Sequence, residues 1–174
     1  AIEKCQPSFF IISGGGNDIL GSQFRDFLVD DPDMSLPEGE NPARFMTNEF
    51  HHELKAIMEI YRTGFNHLQK RFPMLRCIVH GYDYPVKLDD KKRGWLGRYM
   101  IDKGISRHGD RVKIIQYIMD LFNDELRKTC QEFHRVIYLD VRGIVRYNPS
   151  ERVDQWYDEI HPTNDGFQQI AMKF

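Results

Sequence analysis

Three short apolar runs separated by two long stretches of helical period leave this chain few folds to choose from. The runs are Ser8-Phe9-Phe10-Ile11-Ile12-Ser13, Leu75-Arg76-Cys77-Ile78-Val79-His80 and Arg135-Val136-Ile137-Tyr138-Leu139-Asp140-Val141. Continuous apolar runs of this length read as strands of a parallel sheet, the first of them buried on both faces. Between the first two runs, Phe50, Leu54, Ile57, Tyr61, Phe65, Leu68 and Phe72 recur at steps of three and four. That spacing predicts an amphipathic helix from Asn48 to Phe72, capped by Thr47 or Asn48 and stopped by Pro73. Val112, Ile115, Met119, Phe122, Leu126 and Phe133 mark a second helix after Asp110. The alternation of strand and helix predicts an α/β domain with a parallel sheet and right-handed crossovers.

The 174 residues suffice for one domain, 1–174, with a real core, and are too few for two. Composition is that of a soluble globular protein, 41% hydrophobic and 29% charged. A net charge of −2 gives no footprint for nucleic acid or an anionic membrane. The most basic run, Lys91-Lys92-Arg93, follows Asp89-Asp90 and reads as a solvated loop. Cys5, Cys77 and Cys130 have no metal-ligand spacing, and an odd number argues against a disulfide framework. Cys77 lies in an apolar run and reads as a small buried hydrophobe, which tilts the expectation toward a reducing, cytoplasmic setting. No apolar run approaches the length of a transmembrane span.

Chemistry concentrates in two places. Trp156-Tyr157-Asp158-Glu159-Ile160-His161-Pro162-Thr163-Asn164-Asp165-Gly166-Phe167 puts a carboxylate three residues before a histidine and then enters a helix. Thr163 or Asn164 can cap that helix, and Phe167, Ile170, Ala171 and Phe174 give it an apolar face. Asp158 can accept the Nδ1 proton of His161, leaving Nε2 to take a proton from a nucleophile. Glu159 reads as a solvated bystander. The second place is Gly14-Gly15-Gly16-Asn17-Asp18, at the carboxyl end of the first run, where open α/β sheets put their sites. The Asn17 amide is a candidate donor to a developing oxyanion.

Gly15-Gly16-Asn17-Asp18 after an apolar strand, followed in order by Asp158-x-x-His161-Pro162, resembles the third and fifth sequence blocks of the SGNH (GDSL-like) hydrolases. The resemblance implies a three-layer flavodoxin-like fold, of which this chain supplies the third, fourth and fifth strands. It implies His161 as general base, Asp158 as its partner, Asn17 in the oxyanion hole and Asp18 as a structural acid. The family's Gly-Asp-Ser block and its second block, with an oxyanion-hole glycine, have no counterpart among these residues. The nucleophilic serine is therefore expected upstream of Ala1, and the first two strands with it. Without them the sheet keeps a bare apolar edge, an aggregation liability that an upstream segment or a partner chain is expected to cover.

No other motif competes. Ser8 and Ser13 bound the first apolar run, and Gly104-Ile105-Ser106-Arg107-His108 misses the nucleophile elbow because His108 replaces the last glycine and no strand precedes it. Gly14-x-Gly16 is followed by Ile19 where a dinucleotide fingerprint needs a small residue, and His51-His52-Glu53 lacks the spacing of a zinc helix. His80-Gly81-Tyr82-Asp83-Tyr84-Pro85 leaves the second strand toward the same end of the sheet, a segment that also recurs in some SGNH-like hydrolases. Gly16, Tyr82, Tyr84 and Trp95 are candidates to line the site, with residues 82–100 forming a wall or lid, or else a small cluster packed under a long loop.

The expectation is a hydrolase of carboxylic esters working through an acyl-enzyme, with no metal or organic cofactor and a small soluble ester as substrate. The alternative is a non-catalytic SGNH-like module that keeps the pocket for binding or interaction. A flavodoxin-like nucleotide or flavin binder stands last, since it leaves Asp158 and His161 without a purpose.

Overall fold

In the computed structural model, which describes residues 2–5, 7–88 and 94–174, the expected strands and long helices appear in order among further short elements. They are α1 (Ile2–Cys5), β1 (Phe9–Ile12), α2 (Gly16–Leu20), α3 (Asn48–Arg71), β2 (Arg76–His80) and α4 (Gly97–Asp102). Then come α5 (His108–Gln131), β3 (Val136–Leu139), the short pair β4 (Tyr147–Asn148) and β5 (Val153–Asp154), and α6 (Asn164–Ala171). The run Asp89-Asp90-Lys91-Lys92-Arg93 lies outside the described residues.

Three parallel strands form the main sheet in the order β1-β2-β3, with Ile12 beside Val79 and His80 beside Leu139. Both crossovers step the same way across the sheet, so crossovers of one hand put α3 and α5 on the same face. That face is the core. Cys77 and Val79 are buried against Ile57, Phe65, Phe122 and Leu126, and Phe10, Ile12 and Tyr138 pack at its margin.

The other face is not covered as the sequence predicts. Phe9, Ile11 and Ile137 are 48%, 56% and 52% exposed, so β1 is buried on one side only. On this face Phe174, beyond α6, packs edge-on against His80 with ring centroids 5.5 Å apart. Phe167 and Phe174 stay half-exposed. An uncovered strand shows the same apolar run as a covered one, because a sequence run does not say which layer is present.

Helix ends follow the predicted chemistry in part. The Thr163 hydroxyl caps α6 by accepting the Gly166 N–H at 3.3 Å. Thr47 sits at the cap of α3, but its hydroxyl donates to the Asp26 carbonyl at 3.0 Å. The irregular excursion of residues 30–46 is tied down by α5. The buried Asp110 carboxylate accepts the Gly39 N–H at 2.8 Å and Arg107 Nε at 2.6 Å. Residues 86–108, expected to be loop, contain α4, whose Met100 and preceding Leu96 are fully buried. Among the described residues no helix is long and apolar enough to cross a membrane.

Candidate active site

The Asp158–His161 pair forms as its spacing predicts. His161 Nδ1 lies 2.8 Å from Asp158 Oδ2 and 3.0 Å from Oδ1. Asp158 Oδ1 also accepts the backbone N–H groups of Ile160 at 2.9 Å and His161 at 2.8 Å, which fixes the carboxylate before the imidazole uses it. Partial burial works against ionisation of Asp158. The His161 ring and the two backbone N–H groups outweigh it and hold the carboxyl below its usual range. A bridge between Trp156 and Pro162 closes the turn, with the Tyr157 N–H donating to the His161 carbonyl at 2.8 Å. The histidine side chain is exposed, and its Nε2 makes no hydrogen bond among the described residues. A ring held through Nδ1 with Nε2 open to solvent is the arrangement of a general base.

The glycine loop is held by two tyrosines. Tyr61 donates its hydroxyl to the Gly14 carbonyl at 3.1 Å, and Tyr82 accepts the Gly16 N–H at 3.1 Å. Gly15 has φ 88°, in the left-handed region, and a Cβ on Gly16 would stand 2.6 Å from Tyr82 Cζ. Asn17 follows in the first turn of α2, exposed, its side-chain amide making no hydrogen bond among the described residues. Asp18 is beside it and also exposed.

No hydrogen bond or ring contact among the described residues joins this loop directly to His161. The connection runs through the loop after β2. Tyr82 reaches the Gly16 side, and the next residue, Asp83, reaches the other. The buried Asp83 carboxylate accepts four backbone N–H groups, from Tyr84 (2.7 Å), Gly143 (2.5 Å), Ile144 (2.7 Å) and Val145 (2.5 Å). The loop after β3 is thereby fixed, and it exchanges two hydrogen bonds with Gln155, just ahead of the histidine turn. Lys87 Nζ adds a bond to the Trp156 carbonyl at 2.9 Å.

The candidate lining residues separate. Gly16 belongs to the glycine loop, and Tyr82, from the loop after β2, holds it. Tyr84 turns to α5, donating to Asp120 at 2.5 Å, and burial together with that carboxylate pushes its phenol up to about 12. Trp95 is half-exposed and tied by its backbone to the histidine turn, because its N–H and those of Leu96 (2.8 Å) and Gly97 (2.9 Å) all donate to Glu159. Glu159 is thus no solvated bystander. It is 2% exposed and anchors α4. Asp83, Glu159 and Asn123 are the residues that sequence reasoning missed. Asn123 is fully buried, donates to the Tyr82 carbonyl at 2.9 Å and accepts the Tyr138 hydroxyl at 2.7 Å.

No family model and no curated protein matches the sequence. Solved structures do. The extracellular lipase from Streptomyces rimosus superposes with a TM-score of 0.57 at 16% identity, over 96% of this chain and 69% of the lipase. Phospholipase A1 from Streptomyces albidoflavus gives 0.55 at 16% identity, over 99% of this chain and 75% of that one. The chain has a lipase-like fold. At this identity the likeness carries the architecture alone, and the chemistry has to be argued from the residues. In the lipase-like sheet seen here, the glycine loop, the Tyr82–Asp83 loop and the loop after β3 all leave the carboxyl ends of neighbouring strands, where α/β sheets bind ligands.

Proposed function

We propose that this chain carries the acid–base half of an SGNH-like serine hydrolase acting on a carboxylic ester. The observation that supports it is the His161–Asp158 pair, with Nδ1 held at 2.8 Å by a carboxylate that two backbone amides have already fixed. In this reading His161 Nε2 takes the proton of a serine hydroxyl as the oxygen attacks the ester carbonyl. Asp158 stabilises the imidazolium without taking the proton. The Asn17 amide donates to the carbonyl oxygen as it becomes negative, a contribution of roughly 3 kcal/mol for one such donor. His161 then returns the proton to the leaving alcohol, and water releases the acyl group by the same steps.

The serine belongs to a segment outside residues 1–174, as the SGNH resemblance implies. The same segment, or a partner chain, would cover the free edge of β1 and the apolar face carrying Phe9 and Ile11. The lipase-like neighbours extend beyond the aligned region, which supports a larger domain around this one.

The test is intact-mass analysis of the full-length polypeptide with a fluorophosphonate. One adduct on a serine outside residues 1–174, formed roughly a thousandfold more slowly in His161→Ala, is the expected result. A folded full-length protein that takes no adduct overturns the enzyme and leaves the non-catalytic binding module as the reading.

A further inference from the structure

Glu159 follows Asp158 directly in the histidine turn. Its neighbour Asp158 turns its carboxylate back to His161, while Glu159 points its own the other way, into the backbone of residues 95–97. A buried carboxylate accepting three consecutive N–H groups makes charge-assisted bonds, and their geometry leaves the Trp95–Gly97 turn little freedom. Leu96 and Met100 bury the inner side of that turn, and the Trp95 side chain is left 51% exposed. The backbone of Trp95 is thereby held beside the histidine turn, and its indole is left half open to solvent.

The chemistry decides which part of a substrate it meets. His161 gives its proton to the leaving alcohol, so in the acyl-enzyme mechanism the alcohol portion of the ester lies on the histidine side. Asn17, on the far side of the Tyr82 loop, serves the carbonyl oxygen. We infer that Glu159 is a positioning residue that locks Trp95 against the Asp158–His161 turn, and that Trp95 thereby selects esters for the size of their alcohol group. This inference rests on the hydrolase reading above.

The experiment uses two isomeric esters with alkyl leaving groups of similar basicity, octyl acetate and ethyl octanoate, hydrolysed by the full-length polypeptide in a pH-stat. Trp95→Ala raises KM for octyl acetate about tenfold relative to ethyl octanoate, the discrimination an apolar contact of this size provides. Glu159→Gln shifts the same ratio in the same direction, on KM more than on kcat, and the double variant matches Trp95→Ala alone. Hydrogen exchange at the amides of residues 95–97 quickens in Glu159→Gln, an independent readout of the lock. Where that variant yields little folded protein, Glu159→Asp, which withdraws the carboxylate by one methylene, gives the same readouts at smaller amplitude.

A shift in Trp95→Ala without one in the Glu159 variants overturns the positioning role. Additive shifts in the double variant overturn it too. An unchanged ester ratio in all variants overturns the selection of alcohols, provided hydrolysis by the parent protein is lost in His161→Ala. Hydrolysis that survives His161→Ala, or no hydrolysis of either ester by the parent protein, overturns the functional reading itself. The histidine control therefore separates the two failures.

Discussion

The phenol oxygen of Tyr82 accepts the backbone N–H of Gly16 at 3.1 Å, so the amide next to the candidate oxyanion donor is already engaged by the protein. Gly16 therefore shapes the loop, and Asn17, one residue on, is left open to solvent. Behind Tyr82, Asn123 and Tyr138 continue the chain of hydrogen bonds into α5 and β3.

Tyr82→Phe removes the acceptor and leaves the Gly16 N–H without its partner, at a cost of about 1–3 kcal/mol in stability. Displacement of Asn17 is expected to lower kcat roughly tenfold or more with little change in KM, since small misplacements at a reacting centre are expensive. Gly16→Ala is expected to do more damage, because its Cβ would stand 2.6 Å from a ring carbon that the phenylalanine variant keeps. Urea unfolding and steady-state kinetics of the two variants check the order.

Asp83→Asn keeps one acceptor oxygen but turns an NH₂ toward backbone N–H groups that the carboxylate now satisfies. The loop after β3 loses its anchor, and stability is expected to fall by roughly 3 kcal/mol, the scale for breaking a buried charged hydrogen-bond cluster. Equilibrium urea denaturation measures it. A loss below about 1 kcal/mol would show that the loop is held by something other than this carboxylate.

For Asp158 the folded carboxyl titrates below its usual range, so the folded state binds its proton less readily than the unfolded chain. The stability this contributes is present above the unfolded value, near 4, and is lost as pH falls through the lower folded value. The difference in unfolding free energy between the parent protein and Asp158→Asn is therefore expected to shrink as pH falls below about 4. Denaturation curves at pH 4, 3.5 and 3 test the sign; a difference that grows over that range would contradict it.

What the sequence made legible was local. Asp158 and His161 are three residues apart, and the turn that joins them needs nothing distant. The cap by Thr163 and the spans of α3 and α5 are local in the same sense. Glu159 and Asp83 were opaque because their partners lie about sixty residues away. In sequence, each is one more acidic residue in a polar turn. Asn123 sits on the apolar face of a helix with no mark of its role, since the carbonyl of Tyr82 becomes its partner only once β2 is in place. Phe9 and Ile11 misled in the opposite direction. Their run is as apolar as a doubly covered strand, and only the arrangement of layers distinguishes the two.

The order β1-β2-β3 puts the middle strand's exit loop in an unusual position, with adjacent residues gripping opposite neighbours. Tyr82 reaches left to the glycine loop and Asp83 reaches right to the loop after β3. The two loops therefore share one pin, and neither can be re-aimed without disturbing the other. Randomising residues 82 and 83 is therefore expected to unsettle both loops at once. Diversity placed at residues 95 and 157, whose side chains face solvent, would leave the pin intact.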